Sequence, residues 1–400
     1  MSSADRANEN APASSDVATR LGDAGFVRLV PAQTGDAVAA AGLLARTLEA
    51  AGVAFQTSVE PVPSRADCET DADVTVALGR PATCATVTLG LDRPASEAAF
   101  AVRREFDRTA GQPLDRETVV LALAGTLAAG TDPDETLLGP ADDVGLDRRP
   151  GVAIPTRDVA DALAHSTLVH APFSGSVERT TAVLADAGIT VDRAETSREV
   201  ASLVALSVAG DEQGTERGAH SVERLLRPHV GGPFETIGGF ADVLSATARE
   251  RPGLAVALAM GVDEREQALA VWREHASRAH AAVREARTGR YNGLYVARFD
   301  TAVPTDTVAR LLRDYRSPEP VVVTIADGEA VALAHTGNSD SVPAVGDGER
   351  GSGDGKRHVG TAMREAAHEL GGAGGGTATR GRARFDGDSS EFVLALREAL

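Results

Sequence analysis

The amino-acid sequence predicts an α/β protein built from an N-terminal parallel-sheet domain, a helical middle segment and a smaller C-terminal α/β domain. Three observations predict it. Between residues 25 and 129, short apolar runs alternate with helical stretches, the βαβ pattern that gives a parallel sheet covered by helices. From 155 to 288 the pattern is mostly helical. At Gly289, β-branched runs return and alternate with helices again. A chain of 400 residues that is 42% hydrophobic can bury two or three cores.

Residues 1–20 are small and polar and read as a disordered leader. Strands are expected at 25–30, 54–59, 73–78 and 85–89. The first helix, 37–51, is Ala/Leu-rich and stops at Gly52. A second helix spans 96–109 with Ser96 as its N-cap, and a third spans 118–129. Residues 131–155 read as loop, rich in Asp and Pro. Helices follow from 155, at 174–188 (opened by Ser176 and Glu178), 197–207, 219–226, 240–250 and 262–288. The last third gives strands at 293–299, 320–325 and 330–334, with a helix at 305–314 capped by Thr305. A Gly/Ser/Asp-rich insertion, 336–357, carries too little apolar surface to order itself. A helix at 359–370, a strand at 382–385 and a helix at 389–400 close the chain. The domain limits expected from this pattern are 21–190, 191–288 and 289–400.

Acidic residues outnumber basic ones 58 to 40, for a net charge of −18, and Lys356 is the only lysine. Aromatics make up 4% of the chain. This composition resembles that of extreme halophiles, whose surface carboxylates stay solvated where the Debye length falls to about 3 Å. Net charge is then an adaptation to solvent and does not exclude nucleic acid as a partner. No stretch reaches the roughly 18 apolar residues that a membrane span needs. The first ten residues hold no apolar signal region, so a cytoplasmic location is expected. Cys68 and Cys84 are too few for a disulfide framework or a Cys-based zinc site and read as small buried residues.

The glycines at 371, 372 and 374–376 follow a helix and lack Gly-Lys-Ser/Thr. That excludes a dinucleotide fingerprint and a P-loop, both of which need strand, glycine turn, then helix. Two readings stay open. One is a flexible connector. The other is a backbone N–H nest at Gly374, Gly375, Gly376 and Thr377, with Arg380 and Arg382 supplying charge for a phosphate backbone.

The run VGTAMREAAHELGGAGGGTATRGRARF at 359–385 resembles the DHH-associated domain of RecJ-like phosphoesterases. Residues 148–189 and 233–261 are similar to archaeal RecJ-like proteins, and VRLVPAQTGDAVAAAGLL sits where that family has its first metal motif. The resemblance covers most of 21–400. It implies a DHH-type α/β domain, a helical connector, and a DHH-associated domain bordering a nucleic-acid groove. Active members hold two Mn or Mg ions on Asp-x-Asp, a later Asp, Asp-His-His and a further Asp. Two such ions need several oxygen ligands to clamp the attacking and leaving oxygens.

This chain departs from that pattern. Its first loop reads Gln33-Thr34-Gly35-Asp36, and the strand at 73–78 runs into Gly79. Gly90-Leu91-Asp92-Arg93 replaces Asp-His-His, and Thr377 ends the glycine loop. Asp36 is the one weak catalytic candidate, and it reads better as a cap on the helix that follows it. Of the nine histidines, His165 and His170 could pair on a metal but read better as surface or capping residues. His275 and His280, five apart on one helix, point about 140° apart and do not share a metal. The resemblance then implies a non-catalytic scaffold needing no cofactor, which binds single-stranded nucleic acid weakly or works beside GINS and the MCM helicase. Two alternatives use the metal chemistry: an Mn- or Mg-dependent 5′-to-3′ single-strand exonuclease, and a small-nucleotide phosphodiesterase.

Overall fold

The computed structural model describes residues 13–60, 70–82, 84–111, 113–189, 196–291, 293–335 and 358–400. In chain order the first elements are α1 (Ser14–Gly22), β1 (Phe26–Pro31), α2 (Gly35–Ala51), β2 (Ala54–Thr57), β3 (Val74–Leu78), β4 (Val87–Leu89), α3 (Ala95–Ala110), α4 (Arg116–Ala129) and α5 (Glu135–Asp143). The helical stretch holds α6 (Val159–His165), α7 (Val177–Asp186), α8 (Thr196–Ala209), α9 (Glu216–Glu223), α10 (Ile237–Glu250), α11 (Pro252–Ala259) and α12 (Arg265–Glu285). The last elements are β5 (Arg287–Tyr291), β6 (Leu294–Phe299), α13 (Thr305–Tyr315), β7 (Val321–Ala326), β8 (Glu329–Ala334), α14 (Val359–Glu369), β9 (Ala373–Gly376), β10 (Arg380–Arg384) and α15 (Ser389–Ala399). The α/β class expected from the alternation is what the chain adopts.

The chain divides into two compact units. The first takes it up to Asp147, together with Gly231–Pro233 and Val243–Ala268. Its sheet is all parallel in the order β2-β1-β3-β4. β3 is buried at every position, the signature of a central parallel strand covered on both faces. Helix α2 packs on this sheet and on α3, α4 and α11. The approach of α11 is possible only because residue 42 is glycine: a Cβ there would lie 2.6 Å from the Ala259 Cβ.

The second unit comprises Arg148–Val230, Phe234–Asp242 and Leu269–Leu400. Its six-stranded sheet runs β5-β6-β7-β8-β10-β9, with β6 and β7 parallel and the other pairs antiparallel. Strand alternation divides its side chains between two cores. Ala297 and Val322 join a cluster with α13 and with Val200 and Val204 of α8. Val296, Val321 and Val323 face α14 and α15, where Phe385 and Phe392 stack at 4.2 Å.

Several sequence expectations need correction. Within the leader, 14–22 is helical and buries Val17, Ala18 and Leu21; an apolar i, i+1, i+4 stripe hides in a polar stretch. The rest of it, 1–12, lies outside the described residues, as do Cys68 and the insertion 336–357. The loop assigned to 131–155 contains α5, capped by Asp134. The helix expected to run to 288 stops at Glu285 and gives way to β5. Ser96 and Thr305 are not N-caps; Pro94 and Pro304 hold those positions. Cys84 is exposed and disulfide-bonded rather than a buried thiol. No described helix is long and apolar enough to cross a membrane.

Candidate functional site

Sheet order locates the site of interest. The chain leaves β1 toward β2 on one side and returns to β3 on the other. The carboxyl ends of β1 and β3 therefore flank a topological switch point, where open α/β sheets place their ligands. The loop after β1 is Ala32-Gln33-Thr34. The Ala32 N–H bonds the Leu78 carbonyl at 2.9 Å, tying this loop to the end of β3.

Thr34, not Asp36, caps α2: its hydroxyl accepts the Ala37 N–H at 3.2 Å. Asp36 caps a different helix. Its two oxygens accept the N–H groups of Ala95 and Ser96, both at 2.8 Å, and the Ser96 hydroxyl at 2.6 Å. Pro94 has no side-chain acceptor for the first turn of α3, and a carboxylate there also suits the positive end of the helix. Behind it, Glu97 is pushed up from the ordinary carboxylate value by burial and then by the negative charge of Asp134.

Two arginines lie near the same sheet end. Arg80 is the second residue beyond β3 and is only 4% exposed. Arg249, on α10, donates through Nη1 to the Gln33 Oε1 at 3.3 Å, while the Gln33 amide donates to the Arg249 carbonyl at 2.8 Å. Among the described residues no group of three or more His, Cys, Asp or Glu side chains could hold a metal ion. The donor set at the strand ends, amide, hydroxyl and guanidinium, does not suit hard divalent cations, which need several anionic oxygens.

The glycine-rich run is neither a connector nor a nest. Gly374, Gly375 and Gly376 form β9, whose ladder pairs them with Ala383, Arg382 and Gly381 of β10. Missing side chains on both sides serve packing: a Cβ on Gly374 would lie 2.8 Å from the Met363 carbonyl oxygen of α14, and one on Gly360 of α14 would lie 2.3 Å from the Gly376 carbonyl carbon. Thr377 turns the chain toward β10, its N–H bonding the Arg380 carbonyl at 2.8 Å. Arg380 and Arg382 both pair with Asp306, and Arg382 also reaches Glu329 at 3.0 Å.

Over its full length the chain is 48% identical to the "Uncharacterized protein rrnAC1427" of Haloarcula marismortui, with both chains wholly covered. The chain belongs to the rrnAC1427 family. The family profile described as "Uncharacterized protein rrnAC1427, C-terminal domain" matches residues 286–398, the segment from β5 to α15. Two solved structures show which fold the rrnAC1427 family shares. CDC45 from Entamoeba histolytica is similar with a TM-score of 0.57 at 9% identity, over 97% of this chain and 98% of that one. The exonuclease RecJ bound to manganese gives 0.51 at 13% identity, over 97% and 94%. The fold is similar to that of RecJ and CDC45.

One polar cluster of this rrnAC1427-family chain was not foreseen. His165 bonds the Asp161 carbonyl within α6 at 2.9 Å, but His170 and His280 are both buried, with their Nδ1 atoms 3.0 Å apart. The Ser166 carbonyl, 3.0 Å from His280 Nε2, requires a proton there. His280 Nδ1 then accepts from His170 Nδ1–H, and both rings stay neutral. Burial drives both well below the usual histidine value, His280 to about 3. Nearby, buried Asp242 accepts from the Thr167 N–H and the Trp272 Nε1–H, both at 2.9 Å. The Thr167–Asp242 and His170–His280 partners lie 75 and 110 residues apart in sequence, so no local spacing could reveal them.

Proposed function

We propose that this chain is a DHH-superfamily protein that has lost the two-metal centre and acts as a non-catalytic scaffold. The observation that carries the reading is the commitment of Asp36. The one carboxylate in the loop where the resembling enzymes hold their first metal motif is spent on the N-terminus of α3. A phosphodiesterase of this type needs two cations about 3.5–4 Å apart, clamped by several carboxylates. Similarity to CDC45 across nearly the whole of both chains supports a protein-binding role. The partner proposed is a replisome protein such as GINS, with weak affinity for single-stranded nucleic acid beside it. Aromatics at 4% of the sequence leave few stacking platforms for tight single-strand binding.

The test is a nuclease assay on 5′-labelled single strands and on oligoribonucleotides, with Mn or Mg in high KCl. No cleavage is expected. Cleavage by homogeneous protein, abolished by Asp36→Ala, overturns the scaffold reading and restores the exonuclease or the small-nucleotide phosphodiesterase. Strand binding is followed in parallel with Arg380→Ala and Arg382→Ala. Affinity unchanged in both excludes β10 as its route.

A further inference from the structure

We propose that the two short segments 148–152 and 226–229 of the second unit dock an acidic segment of a partner protein, through Arg148 and Arg227. The proposal rests on the non-catalytic reading above and names the chemistry of the partner. The segments run antiparallel: Arg148 bridges His229 and Val152 bridges Leu226. Between those bridges, three residues of the first segment face two of the second. Such a bulge bends the chain and re-aims a side chain. Arg227 lies in it, its N–H donating to the Gly151 carbonyl at 3.1 Å. Its φ is +56°, in the left-handed region that an L side chain adopts only at a cost. The residue before a proline, here Pro228, is normally held extended. Glycine would take this backbone without strain, yet the position carries arginine. Strained residues of this kind cluster at binding sites.

The charge at this place is exposed. Arg227 is exposed, and among the described residues its guanidinium has no hydrogen-bonded or ionic partner. Arg148, also exposed, donates through Nε to the Arg227 carbonyl at 2.9 Å. That bond fixes the base of the group and leaves both Nη atoms without a partner among the described residues. Two more exposed arginines adjoin them. The Arg149 N–H bonds the Pro228 carbonyl at 3.1 Å, and Arg224 closes the end of α9. The stretches 147–149 and 223–229 thus hold four arginines against Asp147 and Glu223, in a chain whose net charge is −18. A guanidinium fork matches a carboxylate in a bidentate pair. Where salt shortens the Debye length to about 3 Å, contacts at bonding distance are the ones that keep their strength. A phosphate backbone offers similar oxygens, but single strands are held by stacking as well. Neither stretch contains Phe, Tyr or Trp, which favours a protein carboxylate.

The test uses the full chain in high KCl. A fluorescein-labelled peptide of Asp and Glu and a labelled oligothymidylate are titrated separately and followed by anisotropy. Saturable binding of the peptide is expected, weakened about tenfold by Arg227→Gly and by Arg148→Ala. Arg227→Gly removes the backbone strain together with the side chain, so it should melt no lower than wild type while its affinity falls. Should it melt lower, Arg148→Ala decides. Arg364→Ala, which removes an exposed arginine from α14 in the same unit, should leave affinity unchanged. A loss in Arg364→Ala equal to that in Arg227→Gly overturns the proposal, because binding would then follow net charge alone. Binding of the oligothymidylate through Arg227, with none of the peptide, also overturns it and marks a nucleic-acid surface. Absence of peptide binding, or affinity unchanged in both Arg227→Gly and Arg148→Ala, overturns it as well. Each of these failures leaves the non-catalytic reading standing, since the cleavage assay alone decides that.

Discussion

Asp36 and Ser96 are 60 residues apart, yet the carboxylate of one accepts both the backbone N–H and the hydroxyl of the other. This bond locks the start of α3 against the start of α2. Gly125 of α4 completes the contact, since a Cβ there would lie 2.4 Å from the Ser96 Cβ. Asp36→Ala should therefore behave as the loss of a helix cap and cost about 1–2 kcal/mol of stability. Urea unfolding, run with and without Mn, measures it. The expected result is a lowered midpoint and no Mn-dependent difference between wild type and variant. A midpoint raised by Mn in wild type alone would show Asp36 to be a ligand.

The sequence made the fold class legible because hydrophobic periodicity reports burial directly. Val74–Leu78 could only be a strand covered on both faces, and Gly52 could only end α2. It misled at caps, because local grammar assumes that a helix is capped by its own flanking residues. Thr34 obeys that rule; Asp36 serves a helix its own sequence neighbourhood does not contain. The glycine run misled for a related reason. Consecutive glycines suggest freedom or a nest, and only the approach of Gly360 shows that they make room for α14. The His170–His280 pair, 110 residues apart, had no sequence signal at all.

Packing at β9 gives a prediction with an internal control. Gly360→Ala puts a methyl group 2.3 Å from the Gly376 carbonyl carbon, a backbone atom that cannot swing aside. Overpacking of this kind costs about 1–3 kcal/mol. Gly371 has φ +71° with nothing within 4 Å of its missing Cβ, so Gly371→Ala costs only the left-handed backbone strain, about 1 kcal/mol. Thermal melts of the two variants should rank Gly360→Ala as the more damaging. The reverse order would mean that α14 does not press on β9.

Asp306 holds two cations at once. Its side chain is 15% exposed, Arg382 is 12% exposed and Arg380 is 38% exposed. Asp306→Asn removes the charge both guanidiniums face. Arg382 keeps Glu329 at 3.0 Å, and solvent reaches Arg380. The cost should be about 1–3 kcal/mol, below that of a fully buried pair. If the pairing also masks β10 from anions, Asp306→Asn strengthens oligothymidylate binding, and Arg380→Ala in that background reverses the gain. Denaturant unfolding and anisotropy on the same preparations read both effects.

The buried histidine pair makes stability depend on pH in a defined direction. Both rings are neutral in the folded chain, their affinity for protons lowered by burial, to about 3 in His280. In the unfolded chain each takes a proton near pH 6.5. Below that value the unfolded state binds more protons, so stability falls as pH drops from about 6.5 toward the folded value. Each histidine that must stay neutral contributes up to about 1.4 kcal/mol of loss per pH unit across that window. Above pH 7 the pair adds no slope. His170→Leu removes one of the two and strips the proton donor from His280 Nδ1, so the variant should be less stable at pH 7. Its stability should nevertheless decline less steeply between pH 6.5 and 5 than that of wild type. Urea midpoints at half-unit intervals would show this, and parallel acid limbs for the two proteins would mean that His170 is not held neutral by the fold.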